Sequence, residues 1–288
     1  MELSCIAERE GRLSTFLRQE LGLSTGLMNR LKWQDKLLVN GIPRRADYQV
    51  HVGDVVSVPL EEEEPEYPAE PGELTVLYED DHILAVDKPA GMLIHPSRSR
   101  FSGTLANRVA WYYKTTGQHS AFHPVTRLDR DTYGIVLLAK NAHIHQLFQQ
   151  IKVEKTYYAL TWGNWEADSG VIDAPIARKP LPSLLREVHP EGKPSVTEFT
   201  VLRRYQRSTL LALQPITGRT HQLRVHCAHM GFPIVGDPQY GTPESQRPGL
   251  TAQLLCAKTL QLPHPITGQA LTITSHMDAV IPERSDIL

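Results

Sequence analysis

Arg127-Leu-Asp-Arg-Asp-Thr-Tyr-Gly134 gathers two carboxylates, Asp129 and Asp131, and two guanidinium groups, Arg127 and Arg130, on one short stretch. It is entered through Pro124-Val125 and followed by an apolar run from Ile135 to Ala139. A carboxylate presented on a loop can act as a nucleophile or take a proton, provided that a cation keeps it ionised and oriented. Gly134 permits backbone shapes that other residues resist, and the run beyond it reads as a buried strand. Asp129 is therefore the leading candidate for a reactive group. Taken alone, the same run also describes a solvated loop whose surface ion pairs contribute little.

Other chemistries fit less well. Asp129, Asp131 and Thr132 match the Asp-x-Asp-x-Thr of aspartate-nucleophile phosphatases and dehalogenases. That motif needs a hydrophobic strand leading into its first aspartate. Here the lead-in is Thr126-Arg127-Leu128, and the apolar run comes afterwards. His221, His226, Cys227 and His229 lie close together, but their spacing does not put four ligands on one side and no Cys-x-x-Cys accompanies them, so no metal site is expected. Neither a Walker motif nor a dinucleotide glycine motif is present.

The elements that must position Asp129 follow from the hydrophobic patterning. The chain has 288 residues, 41% of them hydrophobic, enough for one large or two smaller cores. A net charge of −2 means that any nucleic-acid surface must be a local patch. Cys5, Cys227 and Cys256 are scattered and odd in number, which suggests a reducing compartment and not a disulfide framework. No apolar run is long enough for a membrane span and the first residues do not read as a signal peptide; a cytoplasmic protein is expected.

A first unit is expected over 12–60. Leu13, Phe16, Leu17 and Leu21 fall at helical spacing, with Ser14 as a possible cap. A second helix starts at Leu23-Ser-Thr-Gly, Leu37 to Pro43 reads as a strand with an Asn-Gly turn, and Gly53 to Val58 reads as a closing strand. Between Arg12 and Val50, Arg12, Arg18, Arg30, Lys32, Lys36, Arg44 and Arg45 outnumber Glu20, Asp35 and Asp47, an excess that suits phosphate contacts. The segment 61–73, acidic and proline-rich, reads as an extended tether that leaves the two domains free to reorient. Over 74–288 the patterning predicts many strands and few helices: helices over Thr104–Tyr113, Asn141–Ile151 and Thr220–Met230, and a loop-rich stretch over 170–194. Without a βαβ rhythm, an α+β fold with a largely antiparallel mixed sheet is expected.

Arg127 to Gly134 resembles the catalytic loop of RluA-type pseudouridine synthases. Asp87-Lys-Pro-Ala-Gly-Met-Leu-Ile-His-Pro96, Lys155-Thr-Tyr-Tyr-Ala159, Thr217-Gly-Arg-Thr-His-Gln-Leu-Arg-Val-His226 and Pro233-Ile-Val-Gly-Asp-Pro-Gln-Tyr-Gly241 resemble further motifs of that family, in the same order. The first unit is similar to an S4-like RNA-binding domain. Thr126 stands where a histidine is frequent and Tyr133 where a serine is frequent, which bears on loop packing and not on the reactive group. The resemblance implies the pseudouridine synthase fold and isomerisation of uridine without a cofactor. Asp129 would be the catalytic carboxylate, working through a covalent adduct or a glycal route. It further implies Arg219 as its partner, Tyr157 as the ring on the target base, with a share in removing the proton at carbon five, Leu223 as an apolar wall, and Arg127 as the side chain filling the gap left by the uridine. Structured RNA, ribosomal or transfer, is the implied partner, and a monomer the implied state. A non-catalytic RNA-binding assembly factor is the competing reading, against which the intact set of Asp129, Tyr157 and Arg219 speaks.

Overall fold

The computed structural model describes residues 2–60, 63–97, 101–247 and 249–277. Glu61 and Glu62, at the head of the expected tether, and the expected catalytic domain beyond 277 lie outside the described residues. The first unit comprises β1 (Glu2–Ile6), β2 (Gly11–Arg12), α1 (Leu13–Gln19), α2 (Thr25–Trp33), β3 (Leu38–Val39), β4 (Ile42–Pro43), β5 (Gln49–Val50) and β6 (Val55–Pro59). It begins at Glu2 and not at Arg12, because β1 pairs along its full length with β6, from Glu2↔Pro59 to Ile6↔Val55. Ser24 caps α2 by accepting from the Leu27 N–H at 3.2 Å. Arg12, not Ser14, stands at the N-cap of α1. The expected Asn-Gly turn forms: Asn40 and Gly41 both have left-handed backbone, at φ 51° and 74°.

The second unit contains β7 (Thr75–Glu79), β8 (Ile83–Lys88), α3 (Leu105–Thr115), β9 (His123–Pro124), β10 (Tyr133–Ala139), α4 (Ala142–Leu147), β11 (Glu154–Trp162), β12 (Ser169–Asp173), β13 (Ile176–Arg178), β14 (Arg186–Val188), β15 (Val196–Arg204), β16 (Ser208–Pro215), α5 (Gln222–His229), β17 (Leu255–Pro263) and β18 (Ala270–Thr274). One sheet runs β12-β15-β16-β11-β17-β10-β8-β7, with β18 beside β17 and β9 beside β10. Among the described residues its pairings are antiparallel except β10 with β17. The mixed, largely antiparallel α+β fold expected from the sequence is therefore present. The stretch 170–194 departs from expectation by holding strands. Its prolines fall between β12, β13, β14 and β15, where no ladder hydrogen bond is lost.

β10 and β8 are buried along their whole length, as strands covered on both faces must be. Their side chains alternate between two cores. Leu84, Val86, Val136 and Leu138 meet α3 residues Leu105, Val109 and Tyr113. Ile83, Ala85, Ile135, Leu137 and Ala139 face the other way, in a cluster shared with Ile144 of α4 and with Leu3, Phe16 and Leu21 of the first unit. The first unit thus covers a sheet face through α4 and is not loosely tethered. His143 Nε2 lies 3.2 Å from the Leu21 carbonyl oxygen. A Cβ built on Gly22 would come 2.6 Å from Leu147 Cδ2.

Residues 63–73 form a strap along the second unit. Glu63 lies 2.6 Å from His123 Nε2 and accepts the Ala142 N–H at 2.9 Å. Glu70 accepts the Gly103 N–H at 2.7 Å, and Asn107 Nδ2 donates to the Pro68 carbonyl at 2.9 Å. Glutamates of a segment that reads as a free tether thus find separate partners on the second unit.

β10 meets β17 through two registered pairs only, Tyr133↔Cys256 and Gly134↔Ala257. Gly134 has φ 107°, and a Cβ there would sit 2.4 Å from the Ala257 carbonyl oxygen. Gly134→Ala should therefore destabilise the protein by about 2–4 kcal/mol, from backbone strain plus overpacking, read as a lower denaturant midpoint at unchanged slope. The Tyr133 hydroxyl is buried and finds no hydrogen-bond partner among the described residues. Tyr133→Phe removes an unsatisfied hydroxyl and should leave stability unchanged or raise it by about 1–2 kcal/mol, checked in the same titration.

Candidate active site

The loop from Arg127 to Asp131 is held from below. Thr126 Oγ1 accepts the Leu137 N–H at 2.9 Å, pinning the loop's entrance to β10. Lys88, fully buried, donates its ammonium to the carbonyls of Pro89, Met92 and Arg130, each at 2.9 Å. Burial pushes the Lys88 pKa down to about 7, against the opposing pull of Asp131 and Asp129. The segment Asp87–Pro96 therefore works as a scaffold that ties the carbonyl next to Asp129 into the core. Asp87 itself accepts from Ser275 Oγ at 2.7 Å and from the His276 N–H at 2.8 Å.

The cation on Asp129 is Arg224, and this corrects the expectation for Arg219. Arg224 Nη1 donates to Asp129 Oδ2 at 3.2 Å. Arg219 Nε instead donates to the Pro194 carbonyl at 3.2 Å, and its side chain is exposed at the cavity mouth. The cause is where α5 begins. His221 adopts left-handed backbone, φ 58° and ψ 17°, as the N-cap, so the helix starts at Gln222 and not at Thr220. Gln222 Oε1 accepts from the Arg219 N–H and from Thr217 Oγ1, closing the preceding turn. Arg219 is thereby left outside the helix, while Arg224, in the helix's first turn, faces inward. Arg224 is fixed by Asp237, with Nε to Oδ2 at 2.7 Å and Nη2 to Oδ1 at 2.8 Å, both side chains being buried. Asp237 belongs to the Pro233–Gly241 motif, which was the available sequence signal for it.

Asp129 keeps partial access to solvent, its side chain being 29% exposed. Only Oδ2 is engaged: Arg224 Nη1 holds it, and His221 Nε2 lies 3.9 Å away. Oδ1 has no hydrogen-bond partner among the described residues. Tyr157 reaches the same cavity because the β11–β17 register shifts between Thr156 and Tyr157, a bulge of the kind that re-aims side chains near sites. Ala257 consequently stands between Gly134 on one side and Tyr157 on the other. Burial, and next the charge of Asp129, push the Tyr157 phenol well above its usual range, so the hydroxyl stays protonated.

A cavity of about 1020 Å³ is lined by Arg127, Asp129, Tyr157, Arg219, Leu223 and Arg224, among others. All five side chains expected at the site thus border one space, together with Arg224. Leu223 is buried against the core below it, and Arg127 is exposed at the rim. Arg12, Arg18, Arg30, Lys32, Arg44 and Arg45 lie exposed on the first unit and Lys36 is half-buried there, none of them lining this cavity. Among the described residues no group of three or more His, Cys, Asp or Glu side chains could hold a metal ion. His226 has both ring nitrogens occupied, by Thr197 Oγ1 and the Ala174 carbonyl oxygen.

Such an arrangement offers one ionisable carboxylate beside a fixed cation, an aromatic ring and an apolar wall. Residues 82–229 match the family model described as RNA pseudouridylate synthase. The chain is 38% identical over 257 residues to the uncharacterized RNA pseudouridine synthase YjbO of Bacillus subtilis (strain 168), covering 87% of this chain and 90% of that protein. It is 34% identical over 288 residues to ribosomal large subunit pseudouridine synthase C of Vibrio cholerae serotype O1, covering 93% of this chain and 90% of the relative. The fold is similar to that of human RNA pseudouridylate synthase domain containing 1, with a TM-score of 0.59 and 26% identity over 71% of this chain and 85% of that one. A carboxylate loop, a bulged tyrosine strand and a helix-borne arginine thus coincide with likeness over most of the chain: the protein belongs to the RNA pseudouridylate synthase family, whose members are isomerases.

Proposed function

We propose that this enzyme converts uridine to pseudouridine in large-subunit ribosomal RNA, with Asp129 as its catalytic carboxylate. The observation carrying this reading is the division of labour on Asp129, a residue lining the cavity: Arg224 holds Oδ2 while Oδ1 has no hydrogen-bond partner among the described residues. Relatives named as ribosomal large subunit pseudouridine synthases support the substrate. The reaction breaks a glycosidic carbon–nitrogen bond, turns the uracil and rejoins it through carbon five. It involves no net redox change and so calls for no cofactor.

Asp129 Oδ1 makes the attack or takes the proton that frees the base, and Arg224 supplies the counter-charge throughout. Tyr157 receives the ring by stacking, worth about 1–3 kcal/mol per base, and its protonated hydroxyl serves as a donor. Leu223 forms the apolar wall. Unstacking the nucleotide costs a few kcal/mol, which Arg127, entering the gap from the rim, offsets in part. RNA contacts remote from the base supply the rest. The S4-like first unit fits that task through Arg12, Arg18, Arg30, Lys32, Lys36, Arg44 and Arg45. We take the enzyme to act as a monomer on cytoplasmic RNA.

The test is a pseudouridine map of total RNA from cells with and without the gene, using a chemical label that stops reverse transcription. One or a few ribosomal sites should vanish and return with wild type but not with Asp129→Asn. Loss of transfer RNA sites instead would reassign the substrate, and an unchanged map would overturn the reading. In vitro, Asp129→Asn should lower the single-turnover rate by about 10⁴-fold or more.

Arg224 and Arg219 separate in the same assay. Arg224→Lys keeps the charge but loses the fork, and should slow the single turnover by about 10²-fold. Arg219→Gln should raise KM and leave that rate nearly unchanged. The opposite order would return the partner role to Arg219.

A further inference from the structure

His221 is not assigned a part in the proposal above, yet its Nε2 lies 3.9 Å from the Asp129 oxygen that Arg224 holds. It is a non-glycine residue in left-handed backbone at φ 58°, a state costing about 1–2 kcal/mol. It does not offset this by capping its own helix, since its side chain makes no cap hydrogen bond. Strain of this kind persists where the surroundings over-determine a side chain, and it gathers at functional sites.

The surroundings here fix the ring from one side. His221 Nδ1 lies 2.8 Å from the Tyr240 hydroxyl, and the two rings meet edge to face at 5.6 Å. The Tyr240 oxygen accepts the Arg186 backbone N–H at 2.9 Å. No other acceptor for the hydroxyl proton of Tyr240 stands among the described residues, so it is directed to Nδ1, which then carries the lone pair. The ring proton is left on Nε2, and Nε2 lies 3.9 Å from Asp129 Oδ2, the same oxygen that Arg224 holds. Tyr240 is itself braced: the Arg224 guanidinium lies 4.9 Å over its ring, and its backbone N–H donates to Asp237.

We infer that His221 is a further positioning residue of the reaction: a neutral imidazole, with its proton placed on Nε2 by Tyr240, that closes on Asp129 Oδ2 when substrate fills the cavity and keeps Oδ1 as the reacting oxygen. The role rests on Asp129 being the catalytic carboxylate. The charged groups facing the ring are Asp129 and Asp237, which favour its protonation, and Arg224 and Arg186, which oppose it. Burial weighs most and pushes the imidazole down, in accord with a neutral ring.

The test uses the full chain labelled with ¹⁵N-histidine, His221 being assigned from the signal missing in His221→Gln. Wild type at neutral pH should show the proton on Nε2. Tyr240→Phe removes the hydrogen bond that favours the neutral ring, so the His221 pKa should rise and the tautomer preference fade. In single turnovers His221→Ala should be slower by about 10- to 100-fold, the worth of a hydrogen bond to a charged group, with KM little changed. His221→Gln, which retains a donor, should recover part of that loss. A proton on Nδ1, a charged ring at neutral pH, or a folded His221→Ala with the wild-type rate would each overturn the inference. Should His221→Ala not fold, Tyr240→Phe decides: an unchanged tautomer and rate reject the lock. If wild type makes no pseudouridine, the reading of Asp129 fails, and the nitrogen shifts still report where the proton sits.

Discussion

A buried fork between Arg224 and Asp237 underlies everything at this site. Asp237 is fully buried and accepts two guanidinium N–H groups and the backbone N–H groups of Gln239 and Tyr240. Burial alone would push its carboxyl up, but these donors overcome that and hold it below the usual carboxylate range. A buried ion pair is favourable only when geometry and extra hydrogen bonds offset desolvation, and both conditions are met. Because Nε and Nη2 are committed to Asp237, Nη1 has no freedom to wander from Asp129. The same fork places Tyr240, on whose ring the guanidinium lies and whose hydroxyl meets His221. One interaction thus sets the positions of the cation, the imidazole and the oxygen that they share.

The remaining positioning is done by backbone. Lys88 gathers three carbonyls from two loops. Gly134 lets β10 approach β17 closely enough for Ala257 to pair with both Gly134 and Tyr157. Asp129 precedes β10 and Tyr157 sits on β11, so the carboxylate and the ring are brought to opposite sides of one strand residue. Residues far apart in sequence meet because the sheet order makes their strands near neighbours.

Much of this was legible in the residues. The family resemblance of the motifs pointed to Asp129, Tyr157, Leu223 and Arg127, which border one cavity, and the apolar runs located β8, β10 and the helices. What was not legible depended on tertiary context. Arg219 and Arg224 share one motif, and nothing in their spacing tells which faces inward. That is decided by the left-handed backbone at His221, which moves the start of α5. The strands between 169 and 188 were masked by prolines that mark their ends. The acidic segment read as a tether because composition reports repulsion and cannot show that Glu63 and Glu70 meet partners elsewhere in the chain. β1 carried a weak alternation, and only its long-range partner β6 makes it a strand.

The joint between β10 and β17 has a mechanical meaning. Two registered pairs join β12-β15-β16-β11-β17 to β10-β8-β7, and one apolar cluster, holding Ile135 and Leu137 of β10 with Leu260 and Leu262 of β17, runs across the joint. A plate resists bending where its filling is continuous, and here that filling continues past the strand residue, Ala257, that pairs with both Gly134 and Tyr157. A rotation of one half of the sheet against the other would have to shear that shared filling. The seam that carries carboxylate and ring is thus braced by side-chain packing and does not depend on its two backbone pairs alone.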